Sequence, residues 1–151
     1  MSIKNIAKLS LPGEKWRKPV DFPAYAISSF GRVYSFYSHR LLPLHKSHFR
    51  VYGGKKTYQS REYYSVALQR AKGRTTRRYV HHLVARAFVL NDDPAVKTVV
   101  DHIDNDPLNN MACNLRWTTG ADNIRQSKTS EIQKYTRWLI THARTNFKKE
   151  A

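Results

Sequence analysis

The sequence predicts an α+β fold, and three observations carry that expectation. Two stretches alternate apolar and polar residues about short turns, and two others repeat apolar residues every three to four positions. A pair of short β-branched runs also brackets an acidic, amide-rich loop that leads into a helix start. The expected order is a small N-terminal β-hairpin module, a strand–loop–strand–helix unit, and a C-terminal basic amphipathic helix.

Residues 1–13 read as a flexible arm ending at Pro12-Gly13, and residues 14–60 as the N-terminal β module. Within the module, "YAISSFGRVYSF" sets β-branched and aromatic residues around a Ser-Ser-Phe-Gly turn. Residues 45–61 carry Gly53-Gly54 and many charges, and read as a turn or loop with strand edges. The central unit spans 61–127. "EYYSVALQR" and "TTRRYV" pair about "AKGR". "VHHLVARAFV" puts Val80, Leu83, Val84, Ala87 and Phe88 on one helical face, and Asn91-Asp92-Asp93-Pro94 ends it. "KTVVDH" and "NLRWTT" are short strands, and Thr118 or Thr119 caps the next helix. In 128–151, Ile132, Tyr135, Leu139, Ala143 and Phe147 mark the apolar stripe of a basic helix.

Charge narrows the function class. The chain has 27 Lys+Arg against 11 Asp+Glu, a formal +16, which attracts polyanions. Nucleic acid is the leading partner; an anionic membrane surface is second and not expected. No apolar run reaches the roughly 18 residues that span a bilayer, and the first residues lack a signal-peptide core. Cys113 is the single cysteine, which excludes an internal disulfide and zinc sites built on paired cysteines; a cytoplasmic setting is expected.

The acidic loop "DHIDNDPLNNMACN" tests three readings. As a calcium loop it fails: counted from Asp101, position 3 is Ile103, and counted from Asp104, position 5 is Leu108. As a turn, Asp104–Asn110 is good chemistry, because Asn and Asp tolerate left-handed φ and cap their own backbone. Asp101-His102 asks for more. It sits where a strand hands over to the loop, with a carboxylate suited to a hard cation and an imidazole suited to general-base work. Asn123, one turn into the following helix, is a second ligand if strands and helix fold together. A strand–loop–strand–helix unit of this size is a ββα-metal fold.

"VVDHIDNDPLNNMACNLRWTTGADN" resembles the core of the HNH endonucleases of the phage and intron homing type. "YVHHLVARAF" is similar to the helix that precedes that core, and "YAISSFGRVYS" to a short module found N-terminal to it. The resemblance covers about residues 14–125. It implies a metal-dependent endonuclease that hydrolyses phosphodiester bonds of double-stranded DNA. Asp101 and Asn123 would hold one Mg²⁺ or Mn²⁺ ion, His102 would be the general base, and Asn114 would hydrogen-bond across the loop and fix the two strands. His102 would also need a partner on its other ring nitrogen. A monomer would nick; a homodimer would break both strands. The pattern often has Gly where this chain has Asn105, which also tolerates left-handed φ. The alternatives are a non-catalytic DNA-binding protein and an accessory nuclease acting with a phage packaging or recombination partner.

Arg32, Arg40, Lys46, Arg50, Lys55 and Lys56 are expected to track phosphates. His81 is expected either to pack on the core unit or to reach the phosphate. Arg116 is expected either to stabilise the phosphate or to pair with loop acids. Trp117 is expected to anchor the core and Cys113 to be a buried or half-buried filler.

Overall fold

The computed structural model describes residues 3–51, 59–70 and 73–126. The expected basic helix over 128–151, together with Lys55, Lys56 and the Gly53-Gly54 pair, lies outside the described residues.

An antiparallel meander opens the chain: β1 (Trp16–Arg17), β2 (Tyr25–Ser28), β3 (Val33–Ser35) and β4 (Arg40–Leu41), in that spatial order. β2 and β3 are the hairpin expected in "YAISSFGRVYSF". Every residue of both strands is buried, so the centre of the meander is covered on both faces. One cover is the segment expected to be a flexible arm. It forms a 3-10 helix, Ile3–Leu9, and buries Ile6 against Ala26, Tyr34 and Phe36. Full burial of one such aliphatic side chain is worth about 1.5–3 kcal/mol, enough to hold a short segment that composition alone leaves loose.

The second sheet is β5 (His45–Val51), β6 (Gln59–Gln69) and β7 (Thr75–Tyr79), antiparallel throughout. β6 continues through residue 60, so the module boundary expected there falls inside one strand. The stretch expected as a loop with strand edges is mostly strand, paired from His45↔Ser65 to Val51↔Gln59. At the β6–β7 turn, Gly73 takes φ 76° and Arg70 N donates to Arg74 O at 2.8 Å.

α1 (Val80–Phe88) follows β7 directly. Its buried face is Val80, His81, Leu83, Val84 and Ala85; Ala87 and Phe88, expected inside, are only half-buried. Two strands, β8 (Val99–His102) and β9 (Leu115–Thr118), form the third sheet. A helix, α2, begins at residue 120 and runs through 126. Thr119 is its N-cap: Oγ1 accepts from Asp122 N at 3.1 Å, and Asn123 N donates to Thr119 O at 3.0 Å.

One core joins the sheets, with Tyr25, Ile27 and Val33 from the meander, Val66 and Leu68 from β6, four α1 residues, and Val100 and Leu115 from the third sheet. Tyr25 Oη accepts from Gln69 N at 2.9 Å, bridging the first two sheets. Trp117 is half-buried against this core, as expected, and its Nε1 donates to Val89 O at 3.2 Å. Arg17 Nη1 donates to Ala87 O at 2.6 Å, a cation at the C-terminal end of α1. Cys113 is exposed rather than a filler. Among the described residues, no helix is long and apolar enough to cross a membrane.

Candidate active site

β8 and β9 pair from Val99↔Thr118 to His102↔Leu115, which puts Asp101 opposite Arg116 and delivers Asp101-His102 to the mouth of the loop. The loop closes on its own acids and amides. Asp104 Oδ1 accepts from Asp106 N at 2.8 Å, and Asp106 Oδ1 from Leu108 N at 2.9 Å. Asn105 takes φ 63°, the left-handed conformation for which the pattern often uses glycine. Asn114 is the clamp. Its Nδ2 donates to Asp104 Oδ1 and to Asn109 O, both at 2.9 Å, and its Oδ1 accepts from Asp104 N at 3.1 Å. Its backbone oxygen accepts from Ile103 N at 2.9 Å. Burial raises the Asp104 carboxyl pKa, but the hydrogen bonds from Asn114, Asp106 N and Asn109 outweigh it and leave the pKa lowered.

His102 is buried, and its Nε2 lies 3.1 Å from Asn110 Oδ1. Beside it, His81 stands 5.2 Å away centroid to centroid, in a cluster with Tyr63, Tyr79 and His82. His81 is a buried neighbour of the site, with Nδ1 unpartnered, rather than an open phosphate contact. Burial, then the charges of His82 and His102, push its pKa down to about 3.

Asp101, His102 and Asn123 line one small cleft, together with Arg61, Tyr63, Asn105 and Pro107. Thus the first turn of α2 faces the end of β8, as the strand–loop–strand–helix reading requires. One carboxylate and one amide supply hard oxygen donors there. Among the described residues, no cluster of three or more His, Cys, Asp and Glu side chains forms a closed metal cage. That sparse set suits Mg²⁺, which keeps several waters and takes one or two protein carboxylates. Arg116 takes the second of its two expected roles and pairs with Asp101; its Nη2 also bonds Gln126 on α2.

Two of the expected phosphate contacts on the N-terminal module, Arg32 and Lys46, are taken up by protein carboxylates. Arg32 pairs with Glu14 through two hydrogen bonds, donates to Leu9 O at 2.8 Å and lies over the Trp16 ring. It locks the meander to the N-terminal helix. Lys46 pairs with Glu62 at 2.9 Å, half-exposed. Arg40 is exposed at the meander's edge, and Arg50 stands opposite Ser60 in β5.

A different surface gathers cations. A groove of about 690 Å³ between β1 and the β7–α1 junction is lined by Arg17, Lys18, Arg77, Arg78 and Arg86, with Asp21 as its acid. Its wall residue Tyr79 packs at 5.8 Å on Tyr63, which lines the cleft of Asp101, His102 and Asn123. Sequence reasoning missed this groove, and it missed Arg61 and Asn110. The basic doublet of "TTRRYV" and the paired amides of "PLNNM" were visible; what they face was not.

No family model matches the chain. It is 32% identical over 134 residues, 87% of its length, to an uncharacterized HNH endonuclease of Acanthamoeba polyphaga mimivirus. It is 33% identical over 127 residues, 83% of its length, to a second uncharacterized HNH endonuclease of that virus. The chain spans 30% and 33% of those relatives' own lengths. The structure of the HNH homing endonuclease I-HmuI, described for DNA binding and cleavage, superposes with a TM-score of 0.59 at 25% identity, over 82% of this chain and 66% of that one. In sequence and in fold, over the greater part of its length, the chain is similar to HNH endonucleases, one of them a homing endonuclease.

Proposed function

We propose that the chain is a divalent-metal-dependent DNA endonuclease whose reacting groups are Asp101, His102 and Asn123. The observation that carries the reading is their meeting in one cleft, with the base histidine buried and held. His102 accepts the proton of a water that attacks the scissile phosphorus in line. Asp101 and Asn123 hold Mg²⁺ or Mn²⁺, which when bound stabilises charge on the phosphate and the leaving 3′ oxygen. Arg61 lines the same cleft, exposed, and offers the phosphate a guanidinium that Arg116, bound to Asp101, does not. Asn114 serves as a structural clamp on the loop. The groove of Arg77, Arg78 and Arg86 follows the DNA backbone away from the cut. One such centre makes a nick, and a homodimer or a second event makes a double-strand break. The viral relatives support a virus-encoded enzyme.

The test is supercoiled plasmid with Mg²⁺, with EDTA, and with His102→Ala. Nicked circles that need both metal and His102 support the reading. Cleavage by His102→Ala at the wild-type rate removes His102 as base. A salt-dependent gel shift without cleavage of plasmid or of DNA flanking the native gene points to a binding module.

A further inference from the structure

We propose that the N-terminal meander is part of the catalytic apparatus: the turn between β2 and β3 seats Asn110, and Asn110 fixes His102 in the tautomer that leaves Nδ1 free as base. The role of His102 rests on the nuclease reading above; the coupling rests on geometry.

Asn110 is 5% exposed, and its amide is used at both ends. Nδ2 donates to Leu108 O at 3.2 Å, so the end facing His102 is Oδ1, 3.1 Å from Nε2. A ring nitrogen that faces an acceptor carries the proton. Nε2–H therefore donates, and the neutral imidazole keeps its lone pair on Nδ1. Asn110 is in turn held from behind. Gly31, at φ 84°, packs so closely that a Cβ there would lie 3.0 Å from Asn110 Cβ and 3.3 Å from its carbonyl oxygen. Ala112 N donates to Ser29 O at 2.8 Å, pinning the chain two residues further on. That turn is itself anchored. Ser29 N donates to Lys15 O at 2.8 Å, Lys15 N donates to Ser29 Oγ at 3.0 Å, and Ser28 Oγ donates to Glu14, the partner of Arg32. A path of short contacts runs from the Glu14–Arg32 pair to the imidazole, and its last step, Asn110 Oδ1 to His102 Nε2, is buried. Gly31 is required twice over, for its positive φ and for the space its missing Cβ leaves.

Asn110 is a positioning residue, so the test reads the imidazole itself. Histidine ¹⁵N spectra of the full chain, with His102 assigned by its loss in His102→Gln, report which nitrogen carries the proton. The wild type is expected as Nε2–H. Asn110→Ala is expected to mix the tautomers and lower kcat about 10- to 100-fold with KM for DNA unchanged. Asn110→Asp keeps an acceptor and restores Nε2–H, and Gly31→Ala shifts the ring in the same direction as Asn110→Ala. A wild-type Nδ1–H tautomer, or tautomers unmoved by both Asn110→Ala and Gly31→Ala, overturns the proposal. If Asn110→Ala does not fold, Gly31→Ala decides it. Spectra as expected from a chain that never cleaves would sink the nuclease reading and leave this coupling standing.

Discussion

Arg116 donates from both Nε and Nη2 to a single oxygen of Asp101, Oδ2, at 2.9 and 2.6 Å, and is steadied from α2 by Gln126. The pair is cross-strand and partly exposed, so it adds only about 0.2–1 kcal/mol to stability. Its larger effect falls on the carboxylate's availability. A guanidinium beside the carboxylate repels a dication held by that carboxylate, by on the order of 1 kcal/mol at this range in a solvated cleft. Arg116→Met is therefore expected to tighten Mn²⁺ binding several-fold, and Asp101→Asn to weaken it strongly, both by calorimetric titration of the metal alone. Weaker Mn²⁺ binding by Arg116→Met would mean that holding the Asp101 rotamer outweighs the repulsion.

Asn114 serves folding more than chemistry. Its side chain satisfies Asp104 N, Asp104 Oδ1 and Asn109 O at once. Asn114→Ala leaves those groups short of partners in a half-buried loop, a loss of about 2–4 kcal/mol. For a chain of this size the melting temperature is expected to fall by roughly 5–15 °C. Thermal unfolding of wild type and variant checks this without recourse to activity. A loss of cleavage with an unchanged melting temperature would instead make Asn114 a chemical participant.

Much of this site was legible because its physics is local. Asp101-His102 ends a β-branched run, Thr119 opens a helix with its own hydroxyl, and Asn105 takes the left-handed φ that few residue types tolerate. Each of those features is decided within a few residues of chain. Asn110 was not legible: the turn chemistry of "NDPLNN" accounts for it fully until Gly31, 79 positions earlier, is seen against it. Arg32 was misread for the same reason, since a basic residue in a hairpin looks free until Glu14 arrives from another segment. Ile6 was missed differently: Ile3, Ile6 and Leu9 recur every three residues, the 3-10 period of the segment, but a stretch that short among polar residues reads equally as a loose arm.

His81 contributes to the acid side of the stability profile. Its pKa falls from 6.5 to about 3 on folding, chiefly through burial. Above 6.5 both states are neutral and the group contributes its full stability. As pH drops below that value the unfolded chain takes a proton that the folded one refuses. Stability then falls by up to about 1.4 kcal/mol per pH unit until the folded pKa is reached. His82, also lowered by burial, acts in the same direction. His81→Phe keeps a ring among Tyr63 and Tyr79 and removes the unpartnered Nδ1. Urea unfolding between pH 6.5 and 3 is expected to show a flatter profile for the variant. An equally steep profile would move the acid sensitivity to the carboxylates.

The cations proposed to meet DNA are separable from those that hold the protein together. Arg77, Arg78 and Arg86 line the groove with exposed side chains, and the ion pair of Arg86 with Asp21 is loose, at 3.7 Å. Each cation that neutralises a phosphate releases counterions, so its removal lowers the slope of log K against log salt by about one. Duplex binding measured in a His102→Ala background, where nothing is cut, is expected to show that reduction for each of the three Ala variants. Arg32→Ala is expected to leave the slope unchanged and to lower stability by about 3 kcal/mol, because it removes the charge partner of a Glu14 carboxylate whose side chain is fully shielded and leaves it only Ser28 Oγ and Leu11 N as donors. A slope that responds to Arg32 and not to the groove residues would return the DNA path to the N-terminal hairpin.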